Sequence, residues 1–352
     1  MLYAPRKFKN SLCFDACPMT RLPRLLLLIA GLAVLIVLAW GVGLTAVFDM
    51  LRRVGWAFLW VSALYTVHVG LRALALWRSL TKNGLRFQDV LGVRLAGEAI
   101  EMLTFTGPFL AEPSKAWLLK ARGIETADAF GAIAVEYLLY MAVAFWMAGA
   151  ALVVLLDRGV FGPAFERPAL AVLASLAVFT AGLAYAASCR TGLVAPTIRR
   201  LGRALDRATW IEATASKIEP VERVLVGFMH DRPGRLLEVL AIEVAGHALL
   251  AMEIWIVLRA VGASISWTDA VVMEGAIKLI AAVFFFVPGQ LGAAEGVYVA
   301  LSDGLKFGSA AGFTLALVRR LRALIVAAAS LAVLAALRKP ASQAVSALPG
   351  GR

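Results

Sequence analysis

The sequence predicts an all-α polytopic membrane protein. Three observations carry that prediction: 61% of the 352 residues are hydrophobic, only 16% are charged, and the apolar residues come in blocks of helical length separated by short basic segments. A soluble domain has about 45–50% apolar and about 25% charged residues, and an outer-membrane barrel would alternate over strands of roughly ten residues. Both classes are excluded.

The elements follow in order. Residues 1–24 read as a basic cytoplasmic N-terminus, with Arg6, Lys7, Lys9, Arg21 and Arg24 against Asp15. The apolar run 25–48 is longer than the roughly 7–15 residues of a signal-peptide core, so it reads as a retained anchor. Further spans are predicted at 54–77, 127–156, 168–188, 236–258 and 308–337. Two stretches, 88–120 and 269–306, break at Gly107-Pro108 and Pro288-Gly289 after arms too short to cross. Such a pattern describes a re-entrant hairpin, whose backbone survives at depth only inside protein or along a cavity. The expected architecture is about six transmembrane helices plus two re-entrant helical hairpins.

Basic loops favour the cytoplasm. With the N-terminus inside, the basic segments at 78–86, 120–122 and 190–235 and the tail 338–352 all fall on the cytoplasmic side, and only Arg52-Arg53 does not. The hairpins then enter from opposite faces, and their units look alike. Each has Gly97 or Gly275 in its first arm, a Gly/Pro break, Glu112 or Glu295, then Gly123 or Gly304 and a long span. The offset that places Gly123 on Gly304 also places Ala129 on Ala310. The membrane domain 25–337 is therefore read as an inverted repeat, about 88–156 and about 269–337, around a cytoplasmic amphipathic segment of about 190–235. Ile198, Leu201, Leu205 and Trp210 are that segment's apolar points. Inverted repeats with broken helices place a substrate near the midplane.

Ionised side chains at the bilayer centre cost at least ~2.5–3.5 kcal/mol, so each needs a partner or a purpose. Glu136, Arg319 and Arg320 lie near the middle of their spans, and with Glu295 they are expected to meet at one depth. Either they only hold the repeats together, or an arginine in excess binds an anionic head group, to which guanidinium offers paired donors. Arg94/Glu98 and Glu274/Lys278 are i,i+4 pairs that can self-neutralise. Glu243 and His247 share that spacing and are candidates for a proton relay. Arg72, near the end of its span, is expected to snorkel.

Cys13, Cys17, Cys189 and the three histidines, His68, His230 and His247, show no metal-ligand spacing, so neither metal nor cofactor is expected. The chain contains no G-x-x-x-x-G-K-[ST], G-x-S-x-G or H-E-x-x-H, which argues against ATP hydrolysis and against the commoner hydrolases. The net charge of +12 reads as loops at an anionic leaflet, with no nucleic-acid partner expected.

The stretch Pro288-Gly289-Gln290-Leu291-Gly292-Ala293-Ala294-Glu295-Gly296, followed by the span with Arg319-Arg320-Leu321, resembles the membrane (flippase) domain of bacterial lysylphosphatidylglycerol synthases. That family shows a P-G-G-x-G-x-x-E element and then an apolar span containing an arginine. Upstream, Gly107-Pro108 through Glu112, Trp117-Leu118-Leu119, Gly123 and the Glu136 span match. Gln290 replaces the usual second glycine, Phe109-Leu110-Ala111 stands where glycine is usual, and Tyr137 stands where the family often has arginine.

The resemblance implies a stand-alone translocation part without the aminoacyl-transfer domain, since fifteen residues follow Leu337. The implied location is the bacterial inner membrane. The implied activity is movement of a polar or anionic lipid between leaflets: a phospholipid, an aminoacylated lipid or, from members associated with hopanoid biosynthesis, a hopanoid. Candidate substrate-site residues are Arg319, Arg320, Glu295, Glu136, Pro288, Gly289, Gly292 and Glu112. Two other classes stay open: a membrane-embedded transferase with Glu98, Glu101 or Glu112 as general base or metal ligand, and a scaffold that holds lipid-biosynthetic enzymes through 191–235. Oligomeric state is left open.

Overall fold

The computed structural model describes residues 49 and 52–337, except 82–83, 104–107, 161, 163–165, 191, 205–207 and 284–292. The expected span 25–48, and Pro288, Gly289 and Gly292, lie outside the described residues. Within them the chain is helical, without strands: α1 (Ala57–Ser79), α2 (Phe87–Leu103), α3 (Pro108–Lys120), α4 (Thr126–Asp157), α5 (Glu166–Ser188), α6 (Val194–Ala204), α7 (Ala208–Asp231), α8 (Pro233–Ala260), α9 (Trp267–Val283), α10 (Ala293–Gly304) and α11 (Ser309–Leu337).

Four described helices, α1, α4, α5 and α8, are long and apolar enough to cross a bilayer. They start and end close to the predicted spans. The last predicted span is the 29-residue helix α11, which carries Arg319, Arg320 and Arg322 along its length. The first arms α2 and α9 have 17 residues each, roughly 26 Å at 1.5 Å per residue. Both fall short of the roughly 30 Å hydrocarbon core. The chain is an all-α, multi-pass membrane protein.

Turns are closed by main-chain bonds. After α3 the amide of Ile124 donates to Leu119 O (3.3 Å) and that of Gly123 to Lys120 O (2.9 Å), with Gly123 at φ +90°. This is the paired pattern that ends a helix on a left-handed residue, usually glycine. After α10 the same pattern recurs, Phe307 to Ser302 O (2.8 Å) and Lys306 to Asp303 O (2.9 Å), with Lys306 at φ 65°. The cap equivalent to Gly123 is therefore Lys306 and not Gly304, so the structural register differs from the one that matches glycine with glycine.

The packing is paired throughout. One unit is α1–α4 and the other is α8–α11. The leading helices α1 and α8 pack on each other, and each packs on the following arm, α2 or α9. Each first arm then crosses over, α2 onto α11 and α9 onto α4, while the second arms α3 and α10 stay with their own long helices. Gly275 permits one of these crossings, because a Cβ there would collide with Met147 O of α4. Leu76, Val90, Val93, Ala116, Leu119, Ala129 and Ala132 form the apolar core between α1, α2, α3 and α4.

The segment 190–235 holds two helices, α6 and α7, packed on each other as a hairpin. Glu222 of α7 accepts from the amides of Val194 (2.6 Å) and Ala195 (3.0 Å) at the start of α6. Phe228 of α7 is buried against Val239 of α8 and Val135 and Leu139 of α4. Of the expected apolar points, Leu201 is exposed and Ile198 half-buried; Leu205 lies outside the described residues. Of α5 only Ala169 is buried, leaving Leu170, Val178 and Tyr185 on the outer surface, as a lipid-facing helix requires.

Candidate functional site

The buried charges are gathered where the two units meet. In the first unit Glu136 of α4, fully buried, sits at the centre. Arg72 of α1 donates from Nε to Glu136 Oε1 at 2.7 Å, and Arg94 of α2 approaches the same oxygen at 3.7 Å. Arg94 also pairs with Glu98 one turn on. The snorkelling expected of Arg72 does not occur: it is 5% exposed, because Glu136 offers it a charge partner at the depth its helix dictates.

In the second unit Arg319 of α11 takes the centre. It donates from Nη2 to Glu274 of α9 (2.8 Å) and to Leu250 O (2.8 Å), and its Nε lies 3.5 Å from Glu253 of α8. Its Nη1 donates to Tyr298 OH (3.1 Å). Glu274 also pairs with Lys278 one turn on, at 3.1 Å.

The correspondence is position by position with the charge reversed. Arg72 matches Glu253, Arg94 matches Glu274, Glu98 matches Lys278 and Glu136 matches Arg319. The arm charges are i,i+4 in both units. The flanking gaps are alike too, from Arg72 to Arg94 against Glu253 to Glu274, and from Glu98 to Glu136 against Lys278 to Arg319. Each tetrad holds two cations and two carboxylates and is neutral by itself, which is what a low-dielectric interior demands. Tyr140 links them: Arg72 stacks on its ring at 3.8 Å and Lys278 donates to its hydroxyl at 3.1 Å.

Glu136, Arg319, Arg320 and Glu295 thus do not form one cluster. Glu136 and Arg319 centre separate tetrads, and Arg320 pairs with Glu295 of α10 outside them. Glu112 of α3, the counterpart of Glu295, pairs with Lys115 at 2.6 Å. Lys115 is almost wholly buried because Gly97 makes room for it: a Cβ there would sit 2.7 Å from its Cγ and Cδ. Glu112, Glu295 and Arg320 are 15%, 14% and 20% exposed, more open than either tetrad centre.

A comparison with family models matches residues 25–330 to the lysylphosphatidylglycerol synthase TM region. The chain belongs to that family. No curated protein and no solved structure matches it. As a member of the lysylphosphatidylglycerol synthase TM region family it has a membrane-embedded, lipid-related role.

Sequence reasoning missed Glu253 and Arg322, which pair with each other, Arg322 also stacking on the Tyr65 ring at 3.7 Å. Their signal was present, as charges inside apolar helices. Among the described residues no group of histidine, cysteine or acidic side chains could hold a metal ion. Outside the membrane helices, a cleft of about 530 Å³ between α6 and α7 is lined by Arg190, Arg199, Glu219, Glu222, Arg223 and His230. A hydrogen bond from Arg199 (2.7 Å) holds the Glu219 carboxyl below the usual carboxylate range.

Proposed function

We propose that the protein is a flippase that moves a polar or anionic lipid, a hopanoid among the candidate classes, between the leaflets of the bacterial inner membrane, with both termini cytoplasmic. Family membership supports the lipid as cargo, and the basic loops support the orientation. The observation that carries the reading is the Arg320–Glu295 ion pair, 20% and 14% exposed, which joins the second short arm α10 to the long helix α11, with Glu112 as the 15%-exposed counterpart carboxylate in the first unit.

An anionic head group replaces Glu295 on Arg320, exchanging one carboxylate for a phosphate that accepts the same paired donors. The acyl or polycyclic tails stay in the bilayer. Each tetrad ties the helices of its own unit together, so that one repeat can rock against the other as a body.

Proteoliposomes holding labelled phosphatidylglycerol, phosphatidylethanolamine or a hopanoid test this by the rate at which label in the inner leaflet becomes accessible to an external quencher. The protein is expected to raise the rate for at least one class, and Arg320→Ala and Glu295→Ala to abolish the increase while the chain stays inserted. Unchanged rates for every class would defeat the reading.

A further inference from the structure

Outside the two tetrads, Arg322 pairs with Glu253 and Lys115 with Glu112, whereas Glu243 of α8 is a carboxylate with no counterpart in the first unit, where the equivalent position is Ser62. Glu243 is 1% exposed, and among the described residues no protein donor hydrogen-bonds either of its carboxylate oxygens. Its nearest cation is Arg72, whose Nε stands 3.7 Å away and is already committed to Glu136 at 2.7 Å. A buried ionised carboxylate without such bonds is costly, whereas a neutral carboxylic acid at the same place needs no cation.

The surroundings are specific. Arg72 and His68 face this region from α1, Glu136 and Tyr140 from α4, Arg94 from α2, Lys115 from α3, and Glu274 and Lys278 from α9. Arg319 of α11 meets α8 further along, at Leu250 O, and the contact with α7 is apolar through Phe228. One turn on, His247 Nδ1 lies 2.9 Å from the main-chain oxygen of Glu243. A carbonyl only accepts, so Nδ1 carries the ring hydrogen and Nε2, which has no hydrogen-bond partner among the described residues, is free to take a proton. The His247 ring rests on Tyr140 at 4.8 Å, the residue that joins the tetrads.

We propose that Glu243 is the proton-binding site through which this flippase couples lipid movement to a proton gradient, with His247 as the positioning and transfer group beside it. One proton from water on one side adds to the carboxylate and converts it to a neutral carboxylic acid, which leaves Arg72 wholly to Glu136. The same proton departs to the other side when the units rearrange and Arg72 again turns to Glu243. One proton carried with one anionic lipid transfers no net charge.

The inference rests on the flippase reading, and the experiment separates the two. In proteoliposomes with labelled phosphatidylglycerol, a gradient of one pH unit is expected to give about a tenfold leaflet asymmetry at steady state for one-to-one coupling. Glu243→Gln is expected to keep movement without a gradient and to lose the asymmetry. Lipid movement indifferent to the gradient in the wild type, or a wild-type asymmetry in Glu243→Gln, would overturn the proton site. No movement of phosphatidylglycerol, phosphatidylethanolamine or a hopanoid in the same vesicles would overturn the flippase reading instead. Infrared difference spectra between high and low pH then decide the site alone, since the carboxylic-acid carbonyl band should vanish in Glu243→Gln and persist, shifted, in Glu243→Asp. A band unchanged in both variants, or absent from the wild type, would overturn it.

Discussion

In the first unit an acid on the long helix, Glu136, is held by bases from α1 and α2; in the second a base, Arg319, is held by acids from α8 and α9. The two arrangements share spacing and partner helices and differ in the sign of every charge. The difference teaches what the interior requires. Neutrality of each group is kept in both units, while sign is not, because a buried pair is indifferent to which helix contributes the cation.

The sharpest way to break the comparison is to remove a centre. Glu136→Ala and Arg319→Ala each leave buried partners uncompensated and should cost about 3–5 kcal/mol, read as unfolding of the detergent-solubilised protein. If the tetrads are equivalent, the two losses will match, and exchanging the first tetrad for the charges of the second (Arg72→Glu, Arg94→Glu, Glu98→Lys and Glu136→Arg together) will recover much of what Glu136→Arg alone destroys. Unequal losses would contradict the equivalence of the two tetrads.

A smaller effect is expected at the helix ends. Lys306 occupies a left-handed position that glycine fills in the first unit, at a cost of roughly 1–2 kcal/mol to a side-chain-bearing residue. Lys306→Gly should therefore stabilise the fold by about 1 kcal/mol, and Gly123→Ala should destabilise it by a similar amount. Thermal midpoints of the two variants moving in the same direction would contradict the equivalence of the caps.

The smallest effect lies at the surface, where no reversed twin exists. Glu219 is held ionised by Arg199, so its contribution to the α6–α7 hairpin is present above its unfolded value and lost as pH falls through the lower folded one. Hydrogen exchange in α6 should rise on acidification through that window, and Glu219→Gln should flatten the dependence. An acid response unchanged in Glu219→Gln would place its origin elsewhere.

The repeat is legible in the sequence as spacing and not as identity. Comparing like with like pairs Gly123 with Gly304 and Gly97 with Gly275; the structure pairs Gly123 with Lys306 and puts the two other glycines to different uses, one beside Lys115 and one against α4. Charge reversal hides the tetrads from any search for similar residues. The i,i+4 pairs Arg94/Glu98 and Glu274/Lys278 are visible as pairs along the chain, but their third partners, Glu136 and Arg319, come from helices far off in sequence.

By itself the sequence determined the class of the molecule, its described spans, the short arms of both hairpins and the helical faces on which charges sit. These follow from apolar length, helix breakers and local periodicity, which act within one segment. Only the tertiary structure decided which charge meets which, that Arg72 stays buried, that 190–235 folds into a docked hairpin and that Glu243 is left over. Pairing in a low-dielectric interior is settled by depth and distance between helices, and neither quantity is written along a single chain.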